Sequence, residues 1–345
     1  MSVYINSAET ISAQDTFDTD NFLQEIKTPE NNQFVAFAPE YKDYINPRKL
    51  RRMSSVIRMG ITCSSKALKT AGVDSPDAII VGTGLGCLSD TIKFLDNMNE
   101  QKETLLNPTA FIQSTHNTVS GQIALLLGCK AYNFTFSQQS VSFETALLDA
   151  VLKLKEEQIN NVLIGALDEL TERTFLLLQK ANCTKTNASK ILNSETNGYV
   201  PGEGASFFSL SNQESEKNLA EIKSISLFDL DEEEAINKFL EENKLEISDI
   251  DVLISGNNGD VSTDKSYKKV QSLLEQTAQI AYKHLVGEHD SASSFSMWLA
   301  AKVIEKQELP ASTKMNKINK KTINNVLIHN YSKAHHHSFI LISRA

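Results

Sequence analysis

INNVLIG, residues 159–165, recurs almost unchanged as INNVLIH at residues 323–329. A short, continuous apolar run of this kind marks a strand buried on both faces. The downstream segment also repeats, as SFFSLS (206–211) and SFILIS (338–343). Upstream, DAIIVGTG (77–84) pairs with DVLISGNNG (251–259), and each comes after an amphipathic helix and a short acidic turn. SFETALLDAVL (142–152) has its echo in SFSMWLAAKVI (294–304), with the same Ser-Phe start. Four motif pairs in one order mark an internal duplication, which constrains the architecture before any single motif does.

Each half reads as strand, helix, strand, helix, strand and closing strand. Apolar strands alternating with helices imply an α/β fold with mostly parallel sheet covered on both faces. Two such halves, 1–211 and 212–345, predict two stacked sheets sharing a helical layer. They divide in the polar segment SNQESEKNLAEIKS (211–224), and residues 166–205 form an insertion between the last two strands of the first half. The first core strand is read at Ala78 to Val81.

The chain has 345 residues, 41% of them apolar, with few Gly and Pro, so it is long enough for a sizeable core. A net charge of −9 argues against general nucleic-acid binding. No apolar run reaches the ~20 residues of a membrane helix, no signal peptide is visible, and cytoplasm is the expected compartment. Cys63, Cys87, Cys129 and Cys183 show no CxxC spacing and read as small buried residues, with no metal or cofactor implied.

In FSQQSVSFETALLDA (136–150) a strand, Tyr132 to Phe136, enters a polar turn. A helix leaves it with Phe143, Leu147, Ala150, Val151 and Leu154 at helical spacing. This geometry lifts one side chain into a cavity at a helix start, but the turn offers Gln138, Gln139 and Ser140, with no cysteine. TCSSKAL (62–68) sits too early, inside a helix, so Cys63 reads as core. GTGLG (82–86) lacks the remaining dinucleotide-binding signals and reads as a tight strand exit. His335, His336 and His337 are adjacent, so their side chains diverge, and a solvated or dimer-contact loop is expected rather than a metal site.

The motifs together resemble the β-ketoacyl-acyl-carrier-protein synthase (ketosynthase) branch of the thiolase fold. YVPGEGASFFSLS (199–211) is similar to that family's PGEGA hairpin and NNVLIGALDEL (160–170) to its Gly-Gly-x-Glu strand. RKLRRMSSVIRMGITCSSKAL (48–68) resembles its basic helix, and NPTAFIQSTHNTVSGQIALLLG (107–128) the segment along the dimer partner's active site. The resemblance implies a five-layer αβαβα sandwich. It also implies a cysteine nucleophile, two histidines that promote malonyl decarboxylation, and a supporting lysine. Counting back from Ala150 and Val151 puts the cysteine position at Ser140. The histidine positions fall on Asn258 and Glu288, the lysine is Lys283, and Asn330 alone persists from the C-terminal glycine loop.

A serine hydroxyl attacks poorly without a base. Glu288 would set negative charge where a carbanion must develop, which opposes the family reaction. Ser140 is then expected to cap the helix, and Glu288 to pair with Lys283. The resemblance implies a chain length factor: a silent subunit in a heterodimer with an active ketosynthase, setting acyl length in polyketide, aryl polyene or fatty-acid-like synthesis. Arg48, Lys49, Arg51 and Arg52 would dock an acidic acyl carrier protein. Phe111, Thr115, His116, Tyr132, Phe134 and Phe136 would meet the partner. Two other readings are an active β-ketoacyl synthase or acyltransferase using Ser140 with His289, and an acyl-binding homodimeric scaffold.

Overall fold

The computed structural model describes residues 2–104, 106, 108–156, 159–188, 190–332 and 336–345. The first half runs β1 (Val3–Ile11), α1 (Pro47–Leu50), α2 (Ser55–Ala71), β2 (Ala78–Gly82), α3 (Leu88–Glu100), α4 (Pro108–Gln113) and α5 (Thr118–Leu127). It continues with β3 (Tyr132–Phe136), α6 (Ser142–Lys155), β4 (Asn161–Asp168), α7 (Glu172–Lys180) and β5 (Gly204–Ser211). The second half runs β6 (Ala220–Phe228), α8 (Glu232–Asn243), β7 (Val252–Ser255), α9 (Val261–Leu273) and β8 (Ala278–Ala281). It closes with α10 (Lys283–Val286), α11 (Ser293–Lys306), β9 (Asn325–Tyr331) and β10 (His337–Ser343).

The repeated runs become equivalent strands. INNVLIG supplies β4 and INNVLIH supplies β9, each antiparallel to its closing strand and parallel to the preceding apolar strand. The strand order is β3-β2-β4-β5-β1-β6-β10-β9-β7-β8, so the two halves mirror each other about the β1–β6 seam. The result is the expected thiolase-like α/β fold, with one difference. The halves are not separate sheets: Val3, Tyr4 and Ile5 pair with Ile222, Glu221 and Ala220 and join them edge to edge.

Core clusters define the layers. Side chains of α6 and α11, such as Phe143, Leu147, Met297 and Leu299, pack between strands of both halves. Val56, Ile57 and Ile61 of α2 and Val119 and Ile123 of α5 cover the outer face of the first half. Ile236, Phe239 and Val270 of α8 and α9 cover that of the second. This gives five layers, αβαβα.

Two strands escaped the sequence reading. The first strand is β1, not Ala78–Val81, and β6 begins inside the polar segment 211–224. Both carry polar residues among apolar ones: Ser7 and Thr10 are buried in β1, and Ser7 donates to Ala67 O at 2.7 Å. The basic segment 48–68 is likewise not one helix. Asn46 caps the short α1, and α2 starts only after Ser54.

Candidate functional site: a ketosynthase-like centre

Three local devices bring the site together. The first is the contact of β2 with α6. A side chain on Gly82 would fall 2.7 Å from Ser142 O, so only glycine lets the strand exit lie against the helix start. The second is the turn before α6, a 3-10 segment Gln139–Val141 with Gln139 at φ 52°. Its hydrogen bonds go through Ser142, whose Oγ accepts from Gln138 N at 2.8 Å and donates to Gln139 O at 2.6 Å. The cap expected of Ser140 is not formed: neither this segment nor α6 carries a side-chain capping bond, and the Ser142 hydroxyl ties the turn to itself and to Thr83 O instead. The third is the PGEGA hairpin. Gly202 N donates to Glu288 O at 3.0 Å and Glu288 N to Val200 O at 2.8 Å. A side chain on Gly202 would meet Val286 O at 2.1 Å.

These devices set Glu288 beside Lys283. Lys283 Nζ donates to Glu288 Oε1 and Oε2 at 2.9 and 3.0 Å, and to Asn330 Oδ1 at 3.2 Å. Asn258 Nδ2 donates to Glu288 Oε2 at 2.6 Å. Burial opposes the Lys283 charge, but Glu288 beside it prevails and holds the ammonium well above its usual range. Asn330 donates to Ser140 O at 3.2 Å and to Glu144 Oε1 at 3.0 Å, and accepts from Tyr267 OH at 3.1 Å. Ser140, Asn258, Lys283 and Glu288 thus share one network across the two halves. Ser140, Asn258 and Glu288 line a cavity of about 170 Å³ with Gln139, Tyr199, Thr263, Asp290 and Tyr331.

His289 stands apart. Its Nδ1 pairs with Ser291 Oγ at 3.0 Å, and it lines a second cavity of about 150 Å³ with Asp168, Leu170 and Leu178. No described histidine bonds Ser140, and burial, reinforced by the Lys283 charge, pushes His289 down to about 3. The GTGLG exit wraps a buried carboxylate: Asp168 accepts from Thr83 Oγ1, Gly84 N, Leu85 N and Ser291 N.

The histidine triple behaves otherwise than expected. His337 is not in a solvated loop but is buried in β10, its Nδ1 3.0 Å from His329 Nε2. His336 lines a groove of about 560 Å³ with Gln138, Ser140 and Phe228, and His335 lies outside the described residues. Sequence reasoning did not find Glu144, Tyr267, Asp168 or Asp290. A signal for Glu144 existed, since it shares a helix face with Leu147 and Val151.

At the surface, Arg48, Lys49, Arg51 and Arg52 are exposed, and none forms an ion pair among the described residues. β3 is an edge strand, bonded only to β2. Its Tyr132 and Phe134 are 38% and 46% exposed, with stacked rings 6.1 Å apart, and Phe136 packs inward. Phe111, 56% exposed, leans on Phe94. Thr115 bonds Thr118, and His116 lies against Gly86.

Duplicated halves, five layers and a strand–turn–helix at the join of the halves define a thiolase-like ketosynthase fold. A family model described as beta-ketoacyl synthase, N-terminal domain, matches residues 8–215. This chain therefore belongs to the beta-ketoacyl synthase family. It is 25% identical over 191 residues to a putative mitochondrial 3-oxoacyl-(acyl-carrier-protein) synthase of Schizosaccharomyces pombe, covering 51% of this chain and 45% of that one. The matched stretch thus spans about half of the curated relative. Among solved structures, the ishigamide ketosynthase/chain length factor matches with TM-score 0.81 and 16% identity, covering 100% of this chain and 99% of the other. A ketosynthase in complex with its chain length factor from Xenorhabdus doucetiae matches with TM-score 0.77 and 13% identity, covering 100% and 98%. No helix among the described residues is long and apolar enough to cross a membrane.

Proposed function

We propose that this chain is a catalytically silent, chain-length-factor-like subunit that pairs with an active ketosynthase and shapes acyl-chain length. The observation that carries this reading is the Lys283–Glu288–Asn258 network. In this reading Glu288, a paired carboxylate, and Asn258, an amide, stand where the family's two histidines would act, beside a serine with no base. An anion there opposes a developing carbanion, and Asn258 is already committed to Glu288. Likeness to structures described as ketosynthase/chain length factor complexes supports the assembly.

In this reading the halves divide at 211/212, and β3 extends its ladder into the partner through its exposed edge and aromatic face. Phe111, Thr115 and His116 border the partner's acyl pocket, and the four basic residues orient the carrier protein. The family's reaction belongs to polyketide, polyene or fatty-acid-like synthesis. His289 faces a different cavity from Ser140, which leaves the acyltransferase reading without its base. Co-expression with candidate ketosynthases tests the proposal. A stable heterodimer that condenses malonyl units, with this chain inert alone, is expected. A stable homodimer that refuses every ketosynthase would favour the scaffold reading.

A further inference from the structure

We propose that Asp290 is a proton-operated latch in the wall between the two cavities: neutral, it lets the wall close, and ionised, it drives the wall apart into one chamber. The inference does not depend on whether the site is silent.

The wall is defined by the residues common to both cavities, Tyr199, Glu288 and Asp290. It is stitched by two backbone bonds, Gly202 N to Glu288 O and Glu288 N to Val200 O. Every other carboxylate facing this region is satisfied. Asp168 holds four donors, Glu169 accepts from Ser89 N and Oγ, and Glu288 takes Lys283 and Asn258. Asp290 has no hydrogen bond or ion pair among the described residues. It cannot move away towards β2, where the Gly84 backbone is so close that an added Cβ would fall 2.1 Å from Asp290 Oδ2.

The groups around it are Asp168 and Glu169 from the end of β4, Glu288 and His289 from its own loop, Lys283 from α10 and Tyr199 from the hairpin. His289 stays neutral through burial, so among the described residues Lys283 is the cation that acts on Asp290, and Glu288 already occupies it. Burial, then the like charges of Asp168 and Glu288, push Asp290 up to about 7, against the pull of Lys283. Ionisation therefore adds an uncompensated negative charge beside Glu288 near neutral pH. The cheapest relief is to separate the wall and widen the access of water to the half-buried carboxylate. Asp290 binds its proton more tightly folded than unfolded, so its contribution lowers stability as pH rises from about 4 to about 7 and is level above that.

The test uses the full-length chain with ¹³C-labelled aspartate carboxyls, D290N identifying the signal, and amide exchange at Gly202 and Glu288 corrected for intrinsic rates. Expected are an Asp290 titration near neutral and a protection factor at both amides that falls about tenfold between pH 5.5 and 8. D290N, a mimic of the neutral state, should keep its protection at both pH values. Titration in the ordinary aspartate range, or an equal fall in D290N, overturns the proposal. Should D290N not fold, the wild-type titration and exchange decide alone, and unchanged protection across that range overturns it.

Discussion

At the scale of single residues, the centre is governed by one buried ion pair. Lys283 and Glu288 side chains are 3% and 16% exposed. Removing one partner strands the other charge, so K283M is expected to cost about 3 kcal/mol in urea unfolding, and K283M/E288L to recover most of it. His289 gives a pH signature. Its folded value of about 3 lies below the usual histidine range, so the unfolded chain takes up the proton first as pH falls. H289N should therefore lessen the loss of stability that His289 contributes between about pH 6.5 and 3, read as the wild-type-minus-variant difference. That Ser140, Asn258, Lys283 and Glu288 belong to one centre was legible from the motifs that flank them. Ser142, Asp168 and Asp290 were not, since their roles come from turns and from contacts between distant segments, such as Ser291 N on Asp168, 123 residues apart.

At the scale of elements, the duplication was readable wherever a strand is apolar throughout, as in β2, β4, β7 and β9. It failed at β1, where buried Ser7 and Thr10 break the pattern, and at β6, where Glu221, Lys223, Ser224 and Ser226 do, and the seam between halves satisfies the backbone of both. In the outer layer of the second half, Glu232 of α8 meets Lys269 of α9 at 2.8 Å. Burial works against the Glu232 charge, but the bonds from Lys269 and Ser266 prevail and hold it down to about 2. Its stabilisation is present above the unfolded carboxylate range near 4.5 and is lost as pH falls towards 2. Because Lys269 is 66% exposed, E232Q should cost less than about 1 kcal/mol at pH 7, and nothing at pH 2, in thermal unfolding. The edge strand β3 makes a sharper prediction. F134K should leave unfolding of the isolated chain within about 0.5 kcal/mol, because Phe134 is 46% exposed, yet abolish co-purification with a ketosynthase. Retained pairing would move the interface elsewhere.

At the scale of the molecule, the duplicated halves, joined through β1 and β6, deliver a helix start to a centre where Lys283, Glu288 and Asn258 are paired with one another. The turn shaped like a nucleophile's seat is kept by the core: Gly82 presses on Ser142 and Asn330 holds Ser140 O. In the proposed role, such a frame holds a partner, a carrier protein and the wall of a tunnel without making a bond itself. The most direct test is intact-mass spectrometry of the purified heterodimer after incubation with an acyl-loaded carrier protein. The account predicts the acyl group on the partner ketosynthase's cysteine, with this chain's mass unchanged. An acyl adduct on Ser140 would contradict it.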